Sequence, residues 1–191
     1  MASPFSVSVL VGSLRKGSFT RRVTEALIKL SPGALKYEIV EIGALPLYNQ
    51  DLDDEGPPPA AWTAFREKIR SFDAVLFVTP EYNRSVPAVL KNAIDVGSRP
   101  YGKSVWNGKP AGVVSVSPGA MGGFGANHHL RQSLVFLNMP TLAQPEAYIG
   151  NAAKLVDENR DVTVESTREF LRGFMTAYEK WIAKFAAGGE R

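Results

Sequence analysis

The chain of 191 residues has no cysteine. Disulfides, thiolate metal sites and cysteine nucleophiles are therefore excluded. Long hydrophobic runs are missing too, since none reaches the ~18 residues that a membrane-spanning helix needs. The opening residues Met1, Ala2, Ser3 and Pro4 carry no basic region, and the run from Phe5 to Val11 is too short and too strand-like for a signal peptide. A cytoplasmic protein is the expectation. Neither sign of charge dominates: 22 Lys and Arg face 19 Asp and Glu, for a formal net charge of +3. Such a mild excess does not make a nucleic-acid footprint, which needs basic residues clustered with a reading element. Histidine is scarce, with only His128 and His129. On a helix these two point about 100° apart and cannot share a ligand face. The expectation is one packed histidine and one at a subunit contact, and no metal site.

Apolar residues make up 45% of the chain, enough for one sizeable core, and the length fits one domain over residues 1–191. Phe5 to Val11 reads as a buried parallel strand stopping at Gly12. A helix is expected over 18–30, ended by Ser31-Pro32-Gly33, followed by a strand from Leu35 to Ile42. Residues 43–59, rich in Pro, Asp and Gly, read as a surface excursion or a lid. Within them Asp51, Asp53, Asp54 and Glu55 look like a solvated acidic loop. Further helices are expected at 60–71, 86–96, 125–137 and 165–187, and strands at 74–78, 111–116 and 140–149. Pro87 is tolerated in a first helical turn. Residues 188–191 are expected to fray. Trp62, Trp106 and Trp181 read as core or interface residues, with Trp106 held open as a residue near the site at strand four.

Five strands alternating with helices imply a parallel sheet covered on both faces. In doubly wound sheets, ligands sit beyond the carboxyl ends of the strands, at a topological switch point. Three loops lie there. The first, Gly12-Ser-Leu-Arg-Lys-Gly-Ser-Phe-Thr20, combines turn-permitting glycines, the hydroxyls of Ser13, Ser18 and Thr20, and the planar fork of Arg15. A helix N-terminus follows and points its free N–H groups at the same spot. Neither GxxxxGK[ST] nor GxGxxG is present, which leaves a monophosphate cradle or an ordinary polar turn. The second loop, Thr79 to Pro87, holds Glu81, Tyr82 and Asn83 between two prolines. An aromatic beside backbone N–H groups suits a flat heterocycle. Otherwise Tyr82 covers the sheet edge and Glu81 caps the helix. The third, Ser115 to Gly125, has four glycines that bring backbone donors against a ligand.

GSLRKGSF at 12–19, TPEYNRSVPAVLKNAID at 79–95, and SPGAMGG with HLRQSLVFL through residue 137 together resemble the NADPH-dependent FMN reductase family, in its chromate and quinone reductase branch. The resemblance runs over nearly the whole chain. It implies a flavodoxin-like α/β fold: a doubly wound five-stranded parallel sheet, strand order 2-1-3-4-5, with helices on both faces. It also implies bound FMN, NADPH or NADH as co-substrate, and assembly as a homodimer or homotetramer. Carried onto this chain, Ser13, Arg15, Ser18, Phe19 and Thr20 would surround the FMN phosphate. Pro80, Glu81, Tyr82 and Asn83 would line the isoalloxazine, with Ser117, Gly119 and Ala120 at its other edge. Thr20 stands where many relatives have asparagine, and a threonine hydroxyl can still bond phosphate. Arg84 stands where some relatives have tyrosine, at the mouth of the site. Arg131 and Glu146 match positions that pair between subunits in similar tetramers.

The resemblance implies ping-pong hydride transfer from NAD(P)H to quinones, chromate or similar acceptors, with azo or nitro compounds as alternatives. No catalytic side chain is required, because the flavin carries the chemistry. Arg15 and Lys16 are further candidates for the phosphates of the nicotinamide cofactor, and Arg84 and Arg99 for anion contacts at the mouth. Two rivals stay open: a flavodoxin-type electron carrier without turnover, and an anion- or nucleotide-binding module without redox chemistry.

Overall fold

Alternating side chains on the central strands divide the interior into two cores. The computed structural model describes residues 4–187. Its β-strands are β1 (Phe5–Val11), β2 (Leu35–Ile39), β3 (Ala74–Pro80), β4 (Ala111–Val116) and β5 (Ala147–Ile149). They form one parallel sheet in the order β2-β1-β3-β4-β5, the expected flavodoxin-like arrangement. The helices are α1 (Phe19–Leu30), α2 (Asp51–Asp54), α3 (Ala60–Arg70), α4 (Ala88–Gly97), α5 (Phe124–Phe136) and α6 (Glu165–Ala187). Val7, Val9, Leu76 and Val78 point to one face and meet Val23 and Leu27 of α1 and Phe174 and Tyr178 of α6. Leu10, Val75 and Phe77 point to the other and meet α3, α4 and α5 through Phe65, Ile69, Leu90, Ile94 and Leu130. This is the two-residue period of an extended strand, here apolar on both sides because helices cover both faces.

Most elements fall where the sequence places them, and the departures have local causes. Strand β2 stops at Ile39 rather than Ile42. Val40 N–H still bonds Val9 C=O at 3.0 Å, and the chain then leaves the sheet. β3 continues through Pro80, in register with Val116 of β4. Pro87 is the residue before α4 rather than part of its first turn. β5 is confined to Ala147–Ile149 because Pro140 and Pro145 lack the N–H that a ladder requires. Residues 140–142 meet the start of β4 through Ala111 N–H to Pro140 C=O and Leu142 N–H to Ala111 C=O. The fraying expected at 188–191 lies outside the described residues. No helix among the described residues is long and apolar enough to cross a membrane.

Two expectations are corrected on the α3–α4 face. Trp106 is fully buried and lies away from the strand ends that carry the site, because it precedes β4 and so sits at the sheet's amino side. Its Nε1 donates to Ile94 C=O at 2.9 Å, and its ring lies 6.0 Å from that of Phe77. The acidic loop is not wholly solvated either. The Asp53 carboxylate is buried, taking Nη1 and Nη2 of buried Arg66 at 2.8 and 2.7 Å. Arg66 Nε donates to Val96 C=O at 2.8 Å. Asn92 clamps the same segment, accepting from Tyr48 N–H at 2.8 Å and donating to Leu45 and Pro46 C=O. Trp62 Nε1 also donates to Pro46 C=O. Residues 43–59 are thus a strap fastened over this face. Asp53→Ala leaves the Arg66 guanidinium buried without its counter-ion, and urea unfolding is expected to show a loss of about 3 kcal/mol.

Candidate functional site at the carboxyl edge of the sheet

Parallel register brings the ends of β1, β3 and β4 to one edge, and the three loops converge there. In the first loop, Ser18 N–H bonds Arg15 C=O at 3.2 Å, folding residues 15–18 back as a turn. Ser18 Oγ accepts Arg21 N–H at 3.2 Å and caps α1. The N–H groups of Phe19 and Thr20 are left open at the helix start. Thr20 and Ser13 are buried, and Phe19 is half-buried against the α1–α6 core. Arg15 and Lys16 are exposed, and among the described residues neither forms an ion pair or hydrogen bond through its side chain. Two exposed cations in the turn that leads into these helical N–H groups supply the donor set that suits a phosphate monoester.

The second loop is a tight turn. Tyr82 and Ser85 exchange backbone hydrogen bonds at 3.1 and 3.0 Å. Asn83 and Arg84 between them have φ of 51° and 65°, the left-handed pair of a type I′ turn. Asparagine adopts that conformation readily, whereas arginine does so at a cost. The Arg84 side chain is largely exposed, with Nη1 3.6 Å from Glu81. Half of Tyr82 faces solvent. Glu81 does not cap the helix that follows it. Its Oε2 accepts Ala126 N–H at 3.0 Å, in the first turn of α5.

The third loop leaves β4 through Ser117, whose N–H bonds Ile149 C=O at 2.9 Å. Ser117 Oγ accepts Gly119 N–H at 3.2 Å. Gly119 and Ala120 are exposed. Asn151 N–H bonds Gly119 C=O and Ala152 N–H bonds Ser117 C=O, tying the loop to the segment after β5. Second and third loops are joined at Gly125. A Cβ there would lie 2.7 Å from Arg84 C=O and 3.0 Å from Glu81 Oε2. The turn therefore sits directly on α5, with half-exposed Tyr82 beside the exposed backbone of Gly119 and Ala120 at the same sheet edge.

Several residues singled out in the sequence lie on α5 and along the groove beside it. His129 Nδ1 is 3.0 Å from Ser85 Oγ, at the head of a groove of about 1040 Å³ between α4 and α5 that also includes Lys91, Arg99 and Tyr101. His128 is exposed rather than packed, with Nε2 3.0 Å from Tyr148 Oη. Burial, and then the neighbouring Glu146 carboxylate, push the Tyr148 hydroxyl up to about 12. Arg131 donates from Nε to Asn127 Oδ1 at 2.8 Å and from Nη1 to Leu142 C=O at 2.9 Å. Its Nη2 is buried without a partner among the described residues. Sequence reasoning missed Asn127 and Ser115, which are fully buried beneath the third loop. Their only sequence signal was a polar residue inside an apolar strand and another on an inward helix position.

Residues 5–154 match the model of the NADPH-dependent FMN reductase family, and the chain belongs to that family. A quinone reductase from Pseudomonas putida is 61% identical over 182 residues, covering 95% of this chain and 97% of the relative. A 2-hydroxy-1,4-benzoquinone reductase from a Burkholderia species is 44% identical over 176 residues, covering 92% and 95%. Among solved structures, the flavoenzyme NAD(P)H:(acceptor) oxidoreductase FerB from Paracoccus denitrificans superposes with a TM-score of 0.89 at 42% identity, covering 95% of this chain and 98% of that one.

Gly125→Ala is expected to push the Tyr82–Ser85 turn off α5. Hydrogen exchange should then quicken at Tyr82 and Ser85, while the amides of β1 and β3 keep their protection.

Proposed function

We propose that this chain is an FMN-dependent NAD(P)H:quinone oxidoreductase. The observation that carries the reading is the convergence of three loops at one sheet edge: a helix N-terminus preceded by two exposed cations, beside the Tyr82–Ser85 turn and the exposed Gly119–Ala120 backbone. Ser13, Arg15, Ser18, Phe19 and Thr20 form the phosphate end. Arg15 supplies the paired N–H fork and the start of α1 supplies backbone donors. Pro80, Glu81, Tyr82 and Asn83 form one wall for the ring, with Glu81 acting through its hold on α5. Ser117, Gly119 and Ala120 form the other wall. Bound FMN supplies two-electron transfer between NAD(P)H and the acceptor. The chain's part is to orient both partners in turn against one face, with N–H groups near Asn83 favouring negative charge there.

Arg84 would meet anionic groups at the mouth, so chromate is a second acceptor alongside quinones, whereas Arg99 follows α4 at the sheet's opposite, amino edge and is no part of that mouth. The slightly basic chain differs from the acidic carriers of flavodoxin type, which favours turnover over simple electron carriage. The site of action is the cytoplasm, where both nicotinamide cofactors are supplied. The protein works as a homodimer or homotetramer. Phe124, Val135 and Phe136 are exposed on α5, an apolar face that a second copy would cover, and Arg131 and Glu146 meet across a subunit contact.

The test is direct. Purified protein should be yellow or take up FMN, and should oxidise NADPH with 1,4-benzoquinone in parallel-line initial-rate kinetics. Failure to bind FMN overturns the reading, and FMN binding without NAD(P)H oxidation leaves the carrier. Arg15→Ala should weaken FMN binding by about 1.5–3 kcal/mol in a fluorescence titration, the worth of one charge-assisted contact. Glu146→Ala should shift sedimentation towards a smaller assembly.

A further inference from the structure

A directed chain of buried hydrogen bonds runs beneath the third loop. Arg131 Nε donates to Asn127 Oδ1 at 2.8 Å. Asn127 Nδ2 donates to Ser115 Oγ at 3.2 Å and to Ala147 C=O at 3.3 Å. Ser115 Oγ donates to Gly122 C=O at 2.7 Å. Each link has one polarity. The guanidinium has no acceptor, so it fixes the carbonyl end of the Asn127 amide towards itself and the NH₂ end towards Ser115. The serine oxygen, occupied as acceptor, has two carbonyls in reach, Gly122 at 2.7 Å and Ala147 at 3.4 Å, and the shorter contact takes its single proton. Ser115 and Asn127 are fully buried, so no solvent competes along this path.

The bond to Gly122 orients a peptide plane. In a trans peptide the carbonyl and the following N–H point in opposite directions. With Gly122 C=O drawn in towards Ser115, the Gly123 N–H faces away from the sheet. Gly122 and Gly123 have φ of 61° and 77°, so this segment holds two left-handed residues in succession, a conformation open to glycine. A local bond, Phe124 N–H to Met121 C=O at 3.2 Å, closes this turn, and the Ser115 hydroxyl anchors its central peptide to the buried layer below.

We propose that Asn127 and Ser115 are positioning residues for FMN: they hold the Gly119–Gly123 loop in the arrangement that receives the ring. The inference rests on the FMN reading above. Neither residue touches the cleft. They act through the Gly122 carbonyl, and Arg131 sets the Asn127 amide.

The isosteric Asn127→Asp tests this. The carboxylate keeps the Arg131 contact but has no N–H for Ser115. As a charged acceptor it attracts the Ser115 proton away from Gly122. Ser115→Ala removes the same bond from the other side. Each apoprotein variant is titrated with FMN, and the visible spectrum of the bound flavin is recorded with the melting temperature. Both variants should bind FMN about tenfold more weakly, with a shifted flavin absorption band. The double variant should be no weaker than either single one, because all three break one bond. A role confined to stability would lower the melting temperature and leave the bound spectrum unchanged. Folded variants with wild-type affinity and spectrum overturn the proposal. If Asn127→Asp does not fold, Ser115→Ala decides alone by the same criteria. The wild type is titrated first. Absence of FMN binding there removes the FMN reading and this proposal with it, whereas normal wild-type binding with unaltered variants removes only this proposal.

Discussion

The contact from Glu81 to the first turn of α5 is the constraint on which the site's shape depends. A carboxylate on the loop after β3 accepts Ala126 N–H, so one loop caps the helix that another loop launches. The charge also lies at the positive end of the α5 dipole, where an anion is favoured. Because Gly125 has no side chain, the Arg84 carbonyl rests against the same helical turn. Two loops that would otherwise move independently share a support. Their relative position is thus held before any ligand enters, which would reduce the ordering cost of binding.

Much of this architecture was legible in the sequence, for reasons that can be assigned. Phe5–Val11 and Ala111–Val116 are short runs rich in apolar and β-branched residues, each preceded by proline, and both strands appear with the expected limits. The long amphipathic repeat of α6 is equally plain. Less legible was whatever depended on a partner distant in sequence. Asp53 reads as solvated among Asp51, Asp54 and Glu55, and only the fold brings Arg66 to it. Trp106 sits in a Gly- and Lys-flanked segment resembling a surface loop, and only the fold inserts its ring beside Phe65 and Phe77. In the candidate site, the turn and helix start of the Gly12–Thr20 loop were readable because the glycine turn and the Ser18 cap are local. The partner of Glu81 and the chain from Arg131 to Gly122 were not, since each joins residues from separate elements.

The two faces of the sheet divide their tasks. The α1–α6 side is largely a hydrocarbon core closed by Phe174 and Tyr178. The α3–α4 side carries buried polar fastenings at Arg66 and Asn92, which hold the strap over residues 43–59. A segment rich in proline and glycine has little secondary structure of its own, so its position must come from such side-chain anchors. The strap begins directly after β2, and Gly43 lies against Leu14 of the first loop. The ordering of this face therefore extends to the neighbourhood of the phosphate end.

Arg84 brings two demands into conflict at one position. Its backbone, at φ 65°, favours glycine or asparagine, whereas its side chain holds an exposed guanidinium 3.6 Å from Glu81. A glycine at this point would relax the turn and remove the charge together. Directed evolution for heat tolerance and directed evolution for a new electron acceptor would thus converge on the same codon and pull it in different directions. A library varied at 84 would trace the trade-off between a stiffer turn and the choice of what the cleft admits.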